Sequence, residues 1–381
     1  MTHTTPPHRL YLDNAGRAPW HPLAREAFLQ ALDDGWADPR RLHAEGRRAR
    51  ALLDGAREAL AASLGCRTEE IVLTGSHTAS LHTAVLALAG GRRRAGHRVV
   101  VGSVERAAVL AAAEHDGLER VVVPVDRLGR VAPEQVIGAA AGPDVALAAL
   151  QLANGEVGTR QPVEAVHAGL RRTGAPLLVD AGAGIGHVVV PPAWDALAAD
   201  PGDWGAAPGV GVLAIRSRVR RRSPWPEDPD PLAPGGVSVP AAFAAAVGLQ
   251  AVLGDLVEQD VRRRALVDRI RERVATIPGV EVVGDPTDRL PHVVTFSFLY
   301  VDGEALLTEL DREGIAVGSG SACTSSTLEP SHVLAAMGVL THGNVRVALD
   351  RSTTGDDVDR LLAALPGAVG RVRAMLGVHD L

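Results

Sequence analysis

The sequence predicts an α/β protein that has a large, mostly parallel sheet with helices on both faces, followed by a smaller α+β domain. Short apolar runs alternate with longer amphipathic stretches from about residue 50 to 215, which is typical of a parallel sheet built from strand–helix units. The proline-rich segment Pro224–Pro240 indicates a loop or domain junction. We therefore assign residues 15–250 to a large domain, and residues 1–14 and 251–381 to a small one.

Six strands and five helices are predicted from local pattern. The predicted strands are short apolar runs, namely Glu70–Leu73, Arg98–Val101, Arg120–Val123, Ala146–Gln151, Pro176–Val179 and Val210–Ile215. The predicted helices are longer amphipathic or apolar stretches, namely Glu45–Leu64, Val104–Glu114, Pro133–Ala140, Val163–Arg172 and one long helix over Ala241–Ile277.

Composition narrows the class of protein. No apolar run approaches the roughly 20 residues that a membrane span requires, and the polar N-terminus has no signal-peptide pattern, so we expect a cytoplasmic protein without a membrane partner. The formal net charge is −6, which argues against nucleic-acid binding. Two arginine runs, Arg92–Arg94 and Arg218–Arg222, are interpreted as solvated loops or helix ends, with phosphate contact as the less favoured alternative.

Three residue types carry most of the chemical information. The two cysteines, Cys66 and Cys323, are too few for a disulfide framework or a Cys-rich zinc site. His77 and His82 have no carboxylate or thiol near them in sequence, so no metal site is predicted. All 39 residues of the Lys+Arg count are arginine, so the chain contains no lysine.

The segment Gly318–Pro330 carries Cys323 among Gly, Ser and Thr residues. A structural cysteine normally lies in an apolar run, whereas this loop offers free backbone N–H groups that stabilise a thiolate. From the residues alone two interpretations stay open: a reactive thiol, or an exposed thiol without a role.

The cysteine loop resembles the catalytic-cysteine loop of the cysteine desulfurases, within the class V aminotransferase family. The resemblance extends to four further segments, namely Val294–Phe298, Val301–Glu304, Asn344–Val347 and Tyr11–Ala15. It implies the pyridoxal-phosphate transferase fold type I. It also implies that Cys323 attacks the sulfur of a cysteine–cofactor adduct and becomes a persulfide, and that Arg346 binds the substrate carboxylate.

The same resemblance implies an altered cofactor pocket. Asp203, before Trp204–Gly205, stands where the family has the lysine that joins pyridoxal phosphate as an imine. Arg106 stands where a histidine stacks on the ring, and Ala183 where a glutamine is expected. Two further family positions persist: Asp180 under the pyridine nitrogen, and Asn154 on the substrate side. The phosphate loop, which ends at Thr78, is close to the family's pattern but rearranged. Asp180 and Asn154 also have structural interpretations, as a strand-end cap and a turn residue.

Without a lysine, covalent attachment of pyridoxal phosphate is impossible, and the sequence predicts that no cofactor is used. Three hypotheses follow. The first is a desulfurase-like sulfur-transfer protein with Cys323 as the persulfide carrier; the second is a non-catalytic partner of an active desulfurase; the third is a desulfurase with non-covalently bound cofactor. The family's active site lies at a subunit interface, so we expect a homodimer, or a heterodimer with an active desulfurase. A sulfur donor or acceptor protein is a further expected partner.

Overall fold

The computed structural model describes residues 9–320 and 330–378. Twelve strands are found in this part of the chain: β1 Leu10–Leu12, β2 Ile71–Thr74, β3 Arg98–Gly102, β4 Glu119–Val123, β5 Val145–Gln151, β6 Leu177–Asp180, β7 Ala196–Ala199, β8 Gly211–Ile215, β9 Val280–Val283, β10 Val293–Phe298, β11 Ile315–Val317 and β12 Asn344–Ala348.

Eleven α-helices accompany these strands in the same described residues: α1 Pro22–Asp34, α2 Ala44–Leu64, α3 His77–Arg92, α4 Ala107–Ala112, α5 Pro133–Ala140, α6 Val163–Leu170, α7 Val239–Gly254, α8 Leu256–Val274, α9 Gly303–Arg312, α10 His332–Met337 and α11 Gly355–Met375. No single described helix has the length and apolarity to cross a membrane; α7 and α8 meet that test only as a pair, bent by 70°.

The large sheet has seven strands in the order β2-β8-β7-β6-β5-β3-β4. Strands β7, β6, β5, β3 and β4 run parallel, whereas β8 is antiparallel to both of its neighbours. β5 is buried along its whole length, as expected for a strand covered by helices on both faces. The predicted α/β class with a mostly parallel sheet is therefore confirmed.

Two smaller sheets form around a second apolar core. β12, β10 and β9 pair antiparallel, and β1 pairs with β11 in parallel, with Leu10 opposite Ile315. Leu10 and Leu12 are buried in this second core together with residues of α8 and β10. The N-terminal strand thus packs with C-terminal elements, although the domain boundaries themselves stay a prediction.

Most of the predicted elements are found with shifts of one or two residues, but three differ in substance. Ala241–Ile277 is two helices, because the chain turns at Gly254–Asp255 between α7 and α8. The helix predicted over Val104–Glu114 is only Ala107–Ala112, since Arg106 is its N-cap. Strand β7 was not predicted, because its four small apolar residues continue a stretch without alternation.

Candidate functional site

The site lies at the carboxyl ends of the parallel strands, where loops from several strands converge and where ligands bind in open α/β sheets. β6 ends at Asp180, β5 at Gln151 before Asn154, and β3 at Gly102 before Arg106. β7 is followed by a short 3₁₀ turn, Pro201–Trp204, which Asp200 caps by accepting a hydrogen bond from Gly202 N. The sheet order thus brings residues from distant parts of the sequence together.

These loops line a cavity of about 310 Å³. Five of the predicted site residues line it, namely Arg106, Asn154, Ala183, Asp203 and Arg346. Asp180 contacts this group through Arg106. Thr78 is exposed on the first turn of α3 and is not among the residues that line the cavity. Cys323 lies outside the described residues.

A buried charged cluster centres on Asp180, whose side chain is 3% exposed. Its Oδ1 accepts hydrogen bonds from His77 Nε2 at 2.9 Å and Gly182 N at 2.8 Å, and its Oδ2 accepts from Arg106 Nε at 3.0 Å. Burial alone would raise the pKa of Asp180, but Arg106 and His77 outweigh burial and hold that pKa below its usual range. Asp180 is therefore an ionised carboxylate inside the protein.

His77 is a partner that sequence reasoning missed. It lies at the first position of α3, 103 residues before Asp180. The family resemblance attaches no role to this position, and no local spacing predicts the pairing. Only the parallel sheet, which aligns the loops after β2 and β6, brings the two side chains together.

Burial raises the pKa of three carboxyl groups that line the cavity. Burial raises the pKa of Glu105 and of Asp203 well above the usual range, and it also raises the pKa of Glu156. For Asp203 the neighbouring Asp200 adds to the effect. Both carboxyl oxygens of Glu105 lack a hydrogen-bond partner within the described residues. The cavity thus combines arginine side chains with two buried carboxyl groups, Glu105 and Asp203, in surroundings that favour the neutral form.

The position of Asp203 is fixed through its backbone. His187 Nε2 donates to the Asp203 carbonyl oxygen at 3.1 Å, and His187 Nδ1 accepts from Arg263 Nη1 at 3.0 Å. This arrangement requires the tautomer with a proton on Nε2. His292 stacks on His187 with ring centroids 3.8 Å apart, and burial lowers the pKa of both histidines well below the usual range. The pair is therefore uncharged.

Asn154 has the turn role that its sequence context indicated. Its Oδ1 accepts from Glu156 N and Val157 N, both at 2.9 Å, and its Nδ2 donates to Val104 O at 3.1 Å. The Asn154 side chain lines the cavity, but its partner in each of these hydrogen bonds is a backbone group. A contact with substrate stays a prediction for this residue.

Arg346 connects the cavity to the loop that carries Cys323. It lies on β12, its Nη2 donates to Asp13 Oδ1 at 2.9 Å, and its buried Nε has no partner within the described residues. Its backbone exchanges hydrogen bonds with Gly318, and the neighbouring Asn344 accepts from Gly320 N at 2.9 Å. Gly320 and Pro330, which flank residues 321–329, both line the cavity.

Comparison with known proteins identifies the family. Residues 10–239 and 221–361 match the family described as aminotransferase class-V. The chain belongs to this family. It is 32% identical over 385 residues to "Cysteine desulfurase IscS" of Methanosarcina thermophila, covering 96% of this chain and 93% of that protein. It is 35% identical over 387 residues to "Cysteine desulfurase" of Cereibacter sphaeroides, covering 96% and 97%. The chain is thus a homologue of cysteine desulfurases over nearly its whole length.

Solved structures show the same fold. A "NIFS-LIKE PROTEIN" superposes with a TM-score of 0.85 at 24% identity, covering 97% of this chain and 99% of that chain. DndA from Streptomyces lividans superposes with a TM-score of 0.74 at 27% identity, covering 89% and 99%. The predicted pyridoxal-phosphate fold type I is therefore confirmed.

The prediction that the chain uses no cofactor is wrong. Its family and its homologues, the cysteine desulfurases, are pyridoxal-phosphate proteins, so this cofactor is the one to expect at the site. The prediction gave too much weight to individual altered positions and too little to similarity along the whole chain.

The described residues fit a bound pyridoxal phosphate at two points. Asp180 Oδ2 has one partner, Arg106 Nε, so it keeps an acceptor position for a pyridinium N–H. Gly75 and Ser76 are exposed before α3, a helix of 16 residues, and the N-terminus of a helix binds phosphate through its free N–H groups and its dipole. Asp180 would hold the ring nitrogen, and the α3 N-terminus with Thr78 would hold the phosphate.

Proposed function

We propose that the chain is a sulfur-transfer protein of the cysteine desulfurase type, in which Cys323 takes sulfur from a cysteine substrate and carries it as a persulfide. The observation that supports this most directly is the position of the loop flanks. Gly320 and Pro330 lie on the wall of the cavity that also contains Arg106 and Arg346. Cys323 belongs to the nine residues that join these two flanks in sequence.

The proposed reaction forms one S–S bond and breaks one C–S bond. The Cys323 thiolate attacks the sulfur of the bound cysteine, the C–S bond breaks, and the substrate carbon receives a proton. Pyridoxal phosphate, when bound, supplies the electron sink for the cleavage. Arg346 binds the substrate carboxylate, as a guanidinium fork suits that group. Its buried, unpartnered Nε is available for this contact.

We further propose that Asp203 occupies the position of the family's lysine. The absence of lysine from the sequence and the place of Asp203 on the cavity wall support this assignment. The cofactor would then be held without a covalent bond, by Asp180 and the α3 N-terminus. Because burial and Asp200 raise the pKa of Asp203, its carboxyl is a proton donor on the cavity wall, and it does not repel a phosphorylated ligand as a carboxylate would.

A second candidate function is that of a non-catalytic partner of an active desulfurase. The cluster around Asp180 favours it, because Arg106 already forms an ion pair with the carboxylate that a pyridinium would pair with, and His77 donates a hydrogen bond to it. Exposed apolar side chains on and beside α1, among them Trp20, Leu23 and Leu29, offer a surface for assembly with a second copy or with a paralogue. The homodimer or heterodimer and the cytoplasmic location remain predictions.

The test measures persulfide on the intact protein by mass spectrometry. Protein loaded with pyridoxal phosphate is incubated with cysteine, and we expect a mass gain of one sulfur atom that Cys323→Ser abolishes. Cys66→Ser is the matched control: burial raises the pKa of the Cys66 thiol to about 11, so this thiol is a poor nucleophile. Borohydride treatment should leave no pyridoxyl group on the chain.

Each outcome separates the hypotheses. A mass gain on Cys323 only when an active desulfurase is added supports the non-catalytic partner. No gain under either condition, or an equal gain in the Cys323→Ser variant, contradicts the sulfur-transfer proposal. A stoichiometric pyridoxyl adduct after reduction contradicts non-covalent binding.

A further inference from the structure

The two arginine runs are far apart in the sequence, but the fold brings them together at one place on the surface. α3 ends at Arg92, and Arg93 and Arg94 follow it. The segment after β8 returns across this end, where Arg222 N donates to Ala87 O at 3.0 Å. Gly91 permits this close approach of the two segments, because a side chain at this position would place its Cβ 2.5 Å from Arg220 O. Packing therefore holds two like-charged segments together.

Six arginines of this junction, Arg92 to Arg94 and Arg220 to Arg222, make no ion pair with a carboxylate of the described residues. Elsewhere in the chain such contacts are common; Arg218, two residues before Arg220, pairs with Asp195 at 2.7 Å. Arg92 Nε is buried and has no hydrogen-bond partner among the described residues. Burial together with the neighbouring Arg220 lowers the pKa of Arg92. Unpaired, partly buried guanidinium groups favour an anionic ligand.

Beside this junction lies a cavity of about 840 Å³, separate from the cavity around Asp203. Its polar lining includes His82, Arg93, His97, His115 and Arg222, and Asp116 is the one carboxylate among the described residues that line it. The volume is in the range of about 300–1,000 Å³ that small-molecule sites occupy. The predominance of cationic and neutral donors over one carboxylate suits a phosphorylated ligand.

Trp225 adds a flat aromatic surface to the same cavity. Its Nε1 donates to Thr83 Oγ1 at 3.4 Å, and its backbone N donates to Ser223 Oγ at 3.1 Å, so the ring is held in place. The side chain is still 40% exposed. A fixed tryptophan beside arginines is an arrangement that stacks a base and binds its phosphates.

We propose that this cavity binds a nucleoside phosphate, with the phosphates on Arg93 and Arg222 and the base on Trp225. The inference does not depend on sulfur transfer. The acidic net charge of the chain, −6, favours a free nucleotide over the same group at the end of a nucleic-acid strand.

Isothermal titration calorimetry with ADP, adenosine and inorganic phosphate on the full-length protein tests the proposal. We expect ADP to bind more tightly than either fragment. The Arg93→Gln/Arg222→Gln double variant should weaken ADP binding by about tenfold or more, and Trp225→Leu should weaken it by about fivefold or more. The Arg25→Gln/Arg172→Gln variant changes the net charge equally at two exposed arginines outside the cavity, so its affinity should stay within about twofold.

Several results would overturn the proposal. One is the absence of ADP binding at about millimolar concentration. Another is an equal loss of affinity in the control variant. A third is displacement of ADP by excess pyridoxal phosphate, which would place ADP in the other cavity. Tighter binding of a short oligonucleotide than of ADP at physiological salt would overturn the assignment to a free nucleotide.

Discussion

Removing the guanidinium of Arg106 should expose the energetic role of the cluster around Asp180. We expect Arg106→Gln to lower the free energy of unfolding at pH 7 by about 1–2 kcal/mol. Removing one member of a fully buried ion pair costs about 3–5 kcal/mol. Here the Arg106 side chain is 41% exposed, so water screens the pair. His77 Nε2 and Gly182 N also still donate to the carboxylate.

The assay is urea unfolding at one protein concentration and without added cofactor, because assembly and ligand binding both add to apparent stability. The matched control is Arg98→Gln, which removes an arginine from the pair with Glu119, where the side chains are 36% and 50% exposed. Such a surface pair contributes about 0–1 kcal/mol. Asp180→Asn and the double variant complete a thermodynamic cycle.

The pH dependence follows from the sign of the shift. The pKa of Asp180 is lowered in the folded protein, so its stabilising effect is present above its unfolded pKa, about 3.9, and is lost as the pH falls through the folded value. The penalty of Arg106→Gln should therefore shrink under acid. The reasoning is refuted if Arg106→Gln costs no more than Arg98→Gln, or if the cycle with Asp180→Asn gives no coupling energy.

Two further predictions concern buried charges outside the Asp180 cluster. Glu70 is 4% exposed, and although burial opposes it, hydrogen bonds from Ser217 and Arg67 lower its pKa to about 2. Glu70→Gln should cost about 1–3 kcal/mol at neutral pH. This loss fades from about pH 4.5 downward, because there the unfolded carboxylate takes up a proton while the folded one stays ionised down to its lower pKa. A penalty in urea unfolding that stays constant across that range would contradict this. The single variant His187→Phe should lower the free energy of unfolding more than the double variant His187→Phe/Arg263→Met does. The reason is that the single variant leaves the fully buried Arg263 without its imidazole acceptor. Equal unfolding midpoints for the two variants would contradict this prediction.

Local pattern was sufficient for most elements of the large sheet, and the reason is visible in β5 and α5. Val145–Gln151 is buried throughout, so it is a continuous apolar run in sequence. Pro133–Ala140 begins with proline at the first turn, where a helix tolerates it. The break between α7 and α8 was not predictable in this way, because apolar and helix-forming residues continue on both sides of Gly254.

The candidate site was predictable only through family resemblance, residue by residue. Arg106, Asn154, Ala183, Asp203 and Arg346 were named from matched motifs, and they line one cavity. Their contacts were not predictable: the partner of Arg346 is Asp13, 333 residues away. Glu105 looks like any helix-start carboxylate in sequence, yet it is fully buried. Contacts of this kind depend on the order of strands in the sheet.

The cofactor prediction failed because it placed a few altered positions above the similarity of the whole chain to cysteine desulfurases. In the structure Arg106 does not leave a gap, since it donates to Asp180 Oδ2, and His77 donates to Oδ1. The pocket is therefore a charge-balanced site in which Asp180 stays ionised and keeps one acceptor position. If pyridoxal phosphate were held there, its pyridinium would be a second cation on Asp180 beside Arg106, and the two cations would compete for the same carboxylate.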